Sequence, residues 1–220
     1  MAIPDGLSFD ELNALYEADH GDNLRSMPFE QYFGEMDLSR EQKDRRIKTA
    51  HAIQGFMLPA IMELYYELHE GGYGEYDPSS TIRDNYGSLL DGMGIPLTAF
   101  FAATHVESVA SEIPLSTMTH PDDPYFFSKD RVALIAENEA NSVWNDSEFQ
   151  DAILSGKTRK TWDAIIDKVT RDTHRDINGA TIPIDEPFQV GDSLMMYPKD
   201  ESMGAGPEEI VNCRCSVSYS

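Results

Sequence analysis

Apolar side chains recur at helical spacing through the first two-thirds of the chain and fall into short runs after it. Ser8-x-x-Glu11 is a capping box ahead of a short amphipathic helix. Ser39-x-x-Gln42 opens a longer helix predicted to reach Glu70, where Gly71-Gly72 stops it, and Pro59 should kink or split it. Asp77-Pro78 sets a cap residue before a first-turn proline and starts a helix toward Leu90, ended by Gly92, Gly94 and Pro96. An apolar helix follows over residues 97–112, and Pro114, Pro121 and Pro124 predict a loop. Ser128 caps a helix over residues 129–145. Ser147-x-x-Gln150 opens a short one ending near Gly156. A last helix is predicted over residues 160–175, with Asn178-Gly179 as its turn.

The pattern then changes. Residues 181–184, 193–197 and 210–215 are strand-like runs separated by Gly and Pro. The expected fold is mostly α with a small C-terminal β element (α+β). It comprises a helical region over residues 1–127 and a compact C-terminal domain over residues 128–220. No internal repeat or low-complexity segment interrupts this organisation.

Charge narrows the function classes. The formal net charge is -22, and residues 1–127 carry 22 acids against seven bases, five of those bases between Arg40 and Lys48. So acidic a surface repels duplex DNA, which excludes free, sequence-independent DNA binding as the main role. It fits a solvated surface or docking onto a basic partner. The large apolar residues Phe56, Met57, Met62, Tyr65, Tyr66, Phe100 and Phe101 fill a helical core or leave a docking patch. No segment reads as a membrane span: residues 56–62 are too few, and residues 95–109 include His105 and Glu107. Asp5, Asp10 and Glu11 leave no basic n-region for a secretory signal, so folding in the cytoplasm of the producing cell is expected.

The candidate chemistry lies near the C-terminus. The chain has two cysteines, in Cys213-Arg214-Cys215. Such close neighbours make a strained disulfide at best, and in an extended strand they face opposite ways, which leaves free thiols or metal ligands. Asp167, Arg171 and His174 are spaced to share one helical face. An exposed Asp–Arg pair there is worth only about 0.3–0.5 kcal/mol, while His174 at the helix end can favour the helix dipole. Zinc accepts the set His174, Cys213 and Cys215, with Asp172, Asp176 or water as a fourth ligand. The spacing matches no standard zinc finger, and the competing reading is two packed cysteines with Arg214 pairing an acid. A thiol hydrolase would use Asp167 to orient, His174 as base and a cysteine as nucleophile. No glycine-rich phosphate loop, nucleophile elbow or paired metal-carboxylate motif supports catalysis. Lys157, Arg159, Lys160, Lys168, Arg171, Arg175 and Arg214 form either a local basic patch or a solvated face.

One ordered series of motifs runs through this region. It comprises Arg131-x-x-x-Ile135-Ala136-Glu137-Asn138-Glu139, Gly156-Lys157, Lys160-Thr161-Trp162, Asp167-x-x-Thr170-Arg171-x-x-His174, Asn178-Gly179, Phe188, Tyr197-Pro198 and Asn212-Cys213-Arg214-Cys215. The series resembles the conserved domain of phage Mu F-like minor head proteins over residues 128–220. Val169 stands where many relatives have a basic residue, and Asp172 where many have proline. The resemblance implies a non-enzymatic virion protein present in a few copies at or near the portal, inside the head. Its implied partners are the portal protein and capsid or scaffold proteins, and its implied roles are head assembly and DNA packaging or exit. Contact with packaged DNA would use the basic patch. The motif residues Trp162, Asp167, Arg171, His174, Gly179, Phe188, Pro198, Asn212, Cys213, Arg214 and Cys215 would then be structural. The alternative is a small metal-binding or Cys/His hydrolase-like module centred on His174 and Cys213/Cys215. Some relatives carry a toxin-like domain after the Cys-Arg-Cys segment; Ser220 follows Cys215 by five residues, so none is expected here. Residues 1–127 resemble no named family, and docking to the portal is the expectation for them.

Overall fold

The computed structural model describes residues 3, 6–71 and 77–220. Asp5 of the acidic start and Gly72 of the expected helix stop lie outside the described residues. In chain order the α-helices and β-strands are α1 (Phe9–His20), α2 (Phe29–Gly34), α3 (Arg40–Glu70), α4 (Pro78–Met93), α5 (Val106–Met118), α6 (Lys129–Leu154), β1 (Arg159–Asp163), α7 (Asp172–Asp176), β2 (Thr181–Pro183), β3 (Phe188–Val190), β4 (Ser193–Met195), α8 (Pro207–Ile210) and β5 (Ser216–Tyr219). The fold is mostly α with a small C-terminal antiparallel β element. Among the described residues, no helix is long and apolar enough to cross a membrane.

Local signals set several helix starts. Ser8 Oγ accepts the Glu11 N–H and Glu11 Oε2 accepts the Ser8 N–H, closing the capping box. Asp77 Oδ1 accepts the N–H groups of Ser79 and Ser80 at the start of α4. Ser128 Oγ accepts the Arg131 N–H at the start of α6.

Tertiary packing overrides other signals. α3 runs unbroken through Pro59. α5 continues past Pro114 to Met118, where a loop was expected. Pro114 is buried there, and the guanidinium of buried Arg131 donates to the Thr117 and Ser116 hydroxyls of the same turns. α6 does not stop at Asn145 and restart at Ser147. The residues at the expected break are held by packing within a continuous helix: Asp146 accepts from Thr98 and Tyr197, Asn145 accepts from Arg46, and Ser147 is buried.

The expected helix over residues 160–175 is absent. That stretch is β1, a turn and the short α7. Lys160 and Trp162 both point inward with the two-residue period of a strand. β1 is the centre of the sheet β2-β1-β5, antiparallel to both neighbours, with Trp162 opposite Val217. The Asp167 carboxylate accepts the N–H groups of Val169 and Thr170, offering the backbone a turn in place of a helix. Ile166 and Val169 are exposed, while Trp162 is fully buried. The expected strand over residues 210–215 is the end of α8 followed by a turn, and β5 begins only at Ser216.

The chain forms two compact units that interleave along the sequence. One comprises residues 1–27, 50–94 and 102–136. In it Tyr65 packs edge-on against Phe9 and Phe127 and donates to the Leu7 carbonyl. Asp130 accepts from Ser26 and from the Arg25 N–H, while Asn13 accepts the Lys129 N–H. The other comprises residues 28–49, 95–101 and 137–220. Its core joins Phe149, Trp162, Phe188, Val190, Met195, Tyr197 and Val217 to both cysteines. Arg46, fully buried, donates to Asn141, Asn145 and Glu148 in the same unit. Of the apolar residues weighed for a docking patch, Met57, Tyr65 and Phe101 are buried. Phe56, Met62, Tyr66 and Phe100 are half-buried, so none of the seven is exposed.

Candidate functional site

The C-terminal unit carries the residues that sequence singled out, and three short segments position them. Arg171 has extended backbone and starts α7, which presents His174 inward. Pro207 occupies the first turn of α8, and the chain leaves that helix through Asn212 at φ 59, in the left-handed region that Asn tolerates. Asn138 holds this turn: its Oδ1 accepts the Asn212 N–H at 2.7 Å, and its amide donates to Asn212 Oδ1 at 3.0 Å. The buried Lys199 ammonium adds hydrogen bonds to Asn138 Oδ1 and the Ile210 carbonyl.

Within this frame both sulfurs converge on one nitrogen. His174 Nδ1 lies 3.2 Å from Cys215 Sγ and 3.6 Å from Cys213 Sγ. Cys213 Sγ also folds back to accept the Cys215 N–H at 3.5 Å, a turn geometry that a strand would not allow. The two thiols are free and buried. On the other side of the ring, His174 Nε2 meets Glu209 Oε2 at 2.9 Å, and the Thr173 hydroxyl donates to that same oxygen. Trp162 packs edge-on against the imidazole with ring centres 5.6 Å apart, and its buried indole N–H has no hydrogen-bond partner of ordinary geometry among the described residues. The Cys213 carbonyl accepts from Tyr32 and Asn141.

This geometry polarises the group. The Cys215 thiol, then His174 and Lys199, hold Cys213 well below the usual thiol range against the effect of burial. Cys215 is pushed up by its bond to the Cys213 sulfur and by burial. Burial works against a charged His174, yet the hydrogen bond and charge of Cys213 outweigh it and raise the imidazole above its ordinary value.

The other motif residues brace the cluster. Arg214 bridges Asp167 and Glu35, the latter at 2.5 Å. Burial acts against the Asp167 charge, but Arg214 and Thr170 together pull the carboxyl down to about 2. Arg171 donates to the Val211 carbonyl at 2.5 Å. Gly179, at φ 78, sends its N–H to the Trp162 carbonyl. Phe188 packs edge-on against Trp162, and the Pro198 carbonyl accepts from Asn145. Sequence reasoning missed Glu209, Lys199, Tyr32 and Asn141. Each reaches the site from a different segment, and no local pattern separates Glu209 from its neighbour Glu208.

Two expectations change. Asp167 is not behind His174; Glu209 holds that place, and Asp167 is committed to Arg214. The seven basic residues do not form one patch, because Lys160 is fully buried and donates to the Met196 carbonyl while Arg214 lies between two carboxylates.

The donor set His174, Cys213 and Cys215 has ligand atoms all within 4.8 Å of one another and is able to hold a metal ion. Neither Asp172 nor Asp176 belongs to the group. The adjoining cavity, lined by Thr170, Arg171, Asn212 and the cluster itself, has a volume of about 30 Å³. That is room for a water or two, far below the several hundred cubic ångströms of an organic-ligand pocket.

Comparison with known proteins adds the family. The model for phage Mu protein F like proteins matches residues 105–218, more than half of the chain. A curated protein, the NAD(+)--arginine ADP-ribosyltransferase EFV of Enterococcus faecalis (strain ATCC 700802 / V583), is 32% identical over 88 residues. That stretch is 40% of this chain and 18% of the relative, so the chain spans under a fifth of the relative's length. No solved structure matches.

Proposed function

This chain belongs to the phage Mu protein F like family, a phage head morphogenesis family, and on that premise we propose that it is a minor head protein carried in the virion. It binds at or near the portal inside the head and assists head assembly and DNA packaging or exit. Portal, capsid or scaffold proteins are its partners. The observation that carries this reading is the family match over residues 105–218.

A non-catalytic role follows in the same proposal. The polar motif residues bond to one another, as Arg214 does to Asp167 and Arg171 to the Val211 carbonyl, and the cavity beside them, about 30 Å³, is far smaller than an organic-substrate pocket. The activity named for the Enterococcus faecalis relative is not carried over, because the match reaches only 18% of that protein.

Residues 1–127 are proposed to dock on the assembly through their acidic surface. The bases among them contribute less than their number suggests: Arg46 is buried, and Arg45 lies over the Trp144 ring at 4.4 Å. Leu115 and Met118, exposed at the end of α5, add an apolar contact. Contact with packaged DNA would fall to Lys157, Arg159 and Lys168, which are exposed.

The test is cross-linking of the full chain in assembled procapsids, read by mass spectrometry. Cross-links from residues 1–127 to the portal are expected. Cross-links confined to tail proteins, or to residues 128–220, would overturn the docking assignment.

A further inference from the structure

We propose that His174, Cys213 and Cys215 form a zinc site, with His174 Nδ1 and the two sulfurs as protein ligands and a water molecule as the fourth. Tetrahedral zinc with Zn–N near 2.0 Å and Zn–S near 2.3 Å separates nitrogen from sulfur by about 3.5 Å. The observed separations are 3.2 and 3.6 Å, so an ion fits with movements of a few tenths of an ångström. Two sulfurs and an imidazole are soft to borderline donors, which select zinc over magnesium or calcium.

The surroundings match those of a metal-binding histidine. Such a residue hands its second ring N–H to a carboxylate, which fixes the tautomer and leaves the other nitrogen free to coordinate. Glu209 Oε2 stands at 2.9 Å from Nε2 for that purpose, and Thr173 steadies it. The indole N–H of Trp162, buried and without a conventional partner among the described residues, lies beside the Cys215 sulfur, where a thiolate ligand would accept it. Tyr32 and Asn141 clamp the Cys213 carbonyl, so the two-cysteine turn is held in place by the fold. The cavity of about 30 Å³ beside the sulfurs supplies the place of the fourth ligand.

The competing chemistry is a thiol nucleophile with His174 as base and Glu209 as orienter. It needs one sulfur on the imidazole and an approach for a substrate. Here both sulfurs share the nitrogen, both are buried, and the cavity of about 30 Å³ beside them is far smaller than an organic-substrate pocket.

The full chain, purified without chelator or polyhistidine tag, is to be assayed for metals by mass spectrometry and then exchanged into cobalt(II). About one zinc per chain is expected, and the cobalt form should show tetrahedral d–d bands with sulfur-to-metal charge transfer of two thiolates. Cys213→Ser and Cys215→Ser should each lower that charge transfer. Glu209→Gln should bind zinc roughly 10–100-fold more weakly. If the serine variants fail to fold, the charge-transfer intensity of the unsubstituted protein still counts the thiolates. Iron in place of zinc, or no metal together with a featureless cobalt titration, would overturn the proposal. So would rapid alkylation of both thiols in the native, zinc-supplemented protein.

Discussion

His174 and Glu209 are 35 residues apart in sequence, yet their side chains meet at 2.9 Å inside the C-terminal unit. The carboxylate also takes the Thr173 hydroxyl, so one acid ties α7 to α8. Glu209→Ala leaves a buried ring nitrogen without its partner, at a cost of about 1–3 kcal/mol. Glu209→Gln keeps an acceptor and should lose less. Denaturant unfolding of the two variants measures the difference, and equal stabilities would show that the contact contributes nothing.

Gly191 guards the same carboxylate. It sits at φ 57, and a Cβ there would lie 2.8 Å from Thr173 Cγ2 and 2.9 Å from Glu209 Oε1. Gly179 has φ 78, but nothing lies within 4 Å of its Cβ position. Gly179→Ala therefore meets backbone strain of roughly 1–2 kcal/mol, and Gly191→Ala meets that strain and a collision. Thermal melts should rank Gly191→Ala clearly below Gly179→Ala. The reverse order would contradict the packing described here.

Arg46 anchors the polar side of this unit. Its guanidinium is fully buried and reaches Glu148 at 2.8 and 2.9 Å, with Asn141 and Asn145 completing its bonds. Removing one partner of such a pair typically costs about 3–5 kcal/mol. Arg46→Met should fall at the low end, because Arg45 also reaches Glu148 at 3.3 Å. An unchanged unfolding midpoint would contradict it. Deleting residues 1–70 to map docking would remove Arg46 and Tyr32 together, so surface substitutions in the full chain are the cleaner probe.

Lys160 has a distinct signature in pH. Burial pulls its ammonium down to about 8, with nearby Asp200 and Asp185 opposing the shift only in part. An unfolded lysine titrates near 10.4. Between those values the unfolded chain holds more protons, so this residue makes stability rise with pH from about 8 to about 10.4. Lys160→Met removes that slope. The variant should gain relative stability below pH 8 and lose the advantage as pH rises; a difference constant from pH 7 to 10 would exclude the assignment.

Local chemistry was legible in the sequence where the answer is itself local. The Ser8 and Asp77 caps read directly because each is decided within three residues, by Glu11 in one case and by Asp77's own carboxylate and Pro78 in the other. Trp162 lies in a strand where its local pattern predicts a helix. Its strand depends on pairing with residues 181–183 and 216–219, which no window around it reveals. The convergence of His174 with both cysteines could be expected from motifs that occur together. The way they converge could not: a strand would have split the sulfurs, and the left-handed Asn212 and the Asn138 bonds place them on one side. Glu209 was invisible as one of 39 acids in an acidic chain, distinguished only by what packs against it.

The central claim is that this chain is a component of the phage head. Quantitative mass spectrometry of gradient-purified particles, intact and after removal of tails, tests it most directly. The chain should be found in both preparations at a few copies per particle, in a constant ratio to the portal. Abundance in the lysate with none in purified heads would contradict the account.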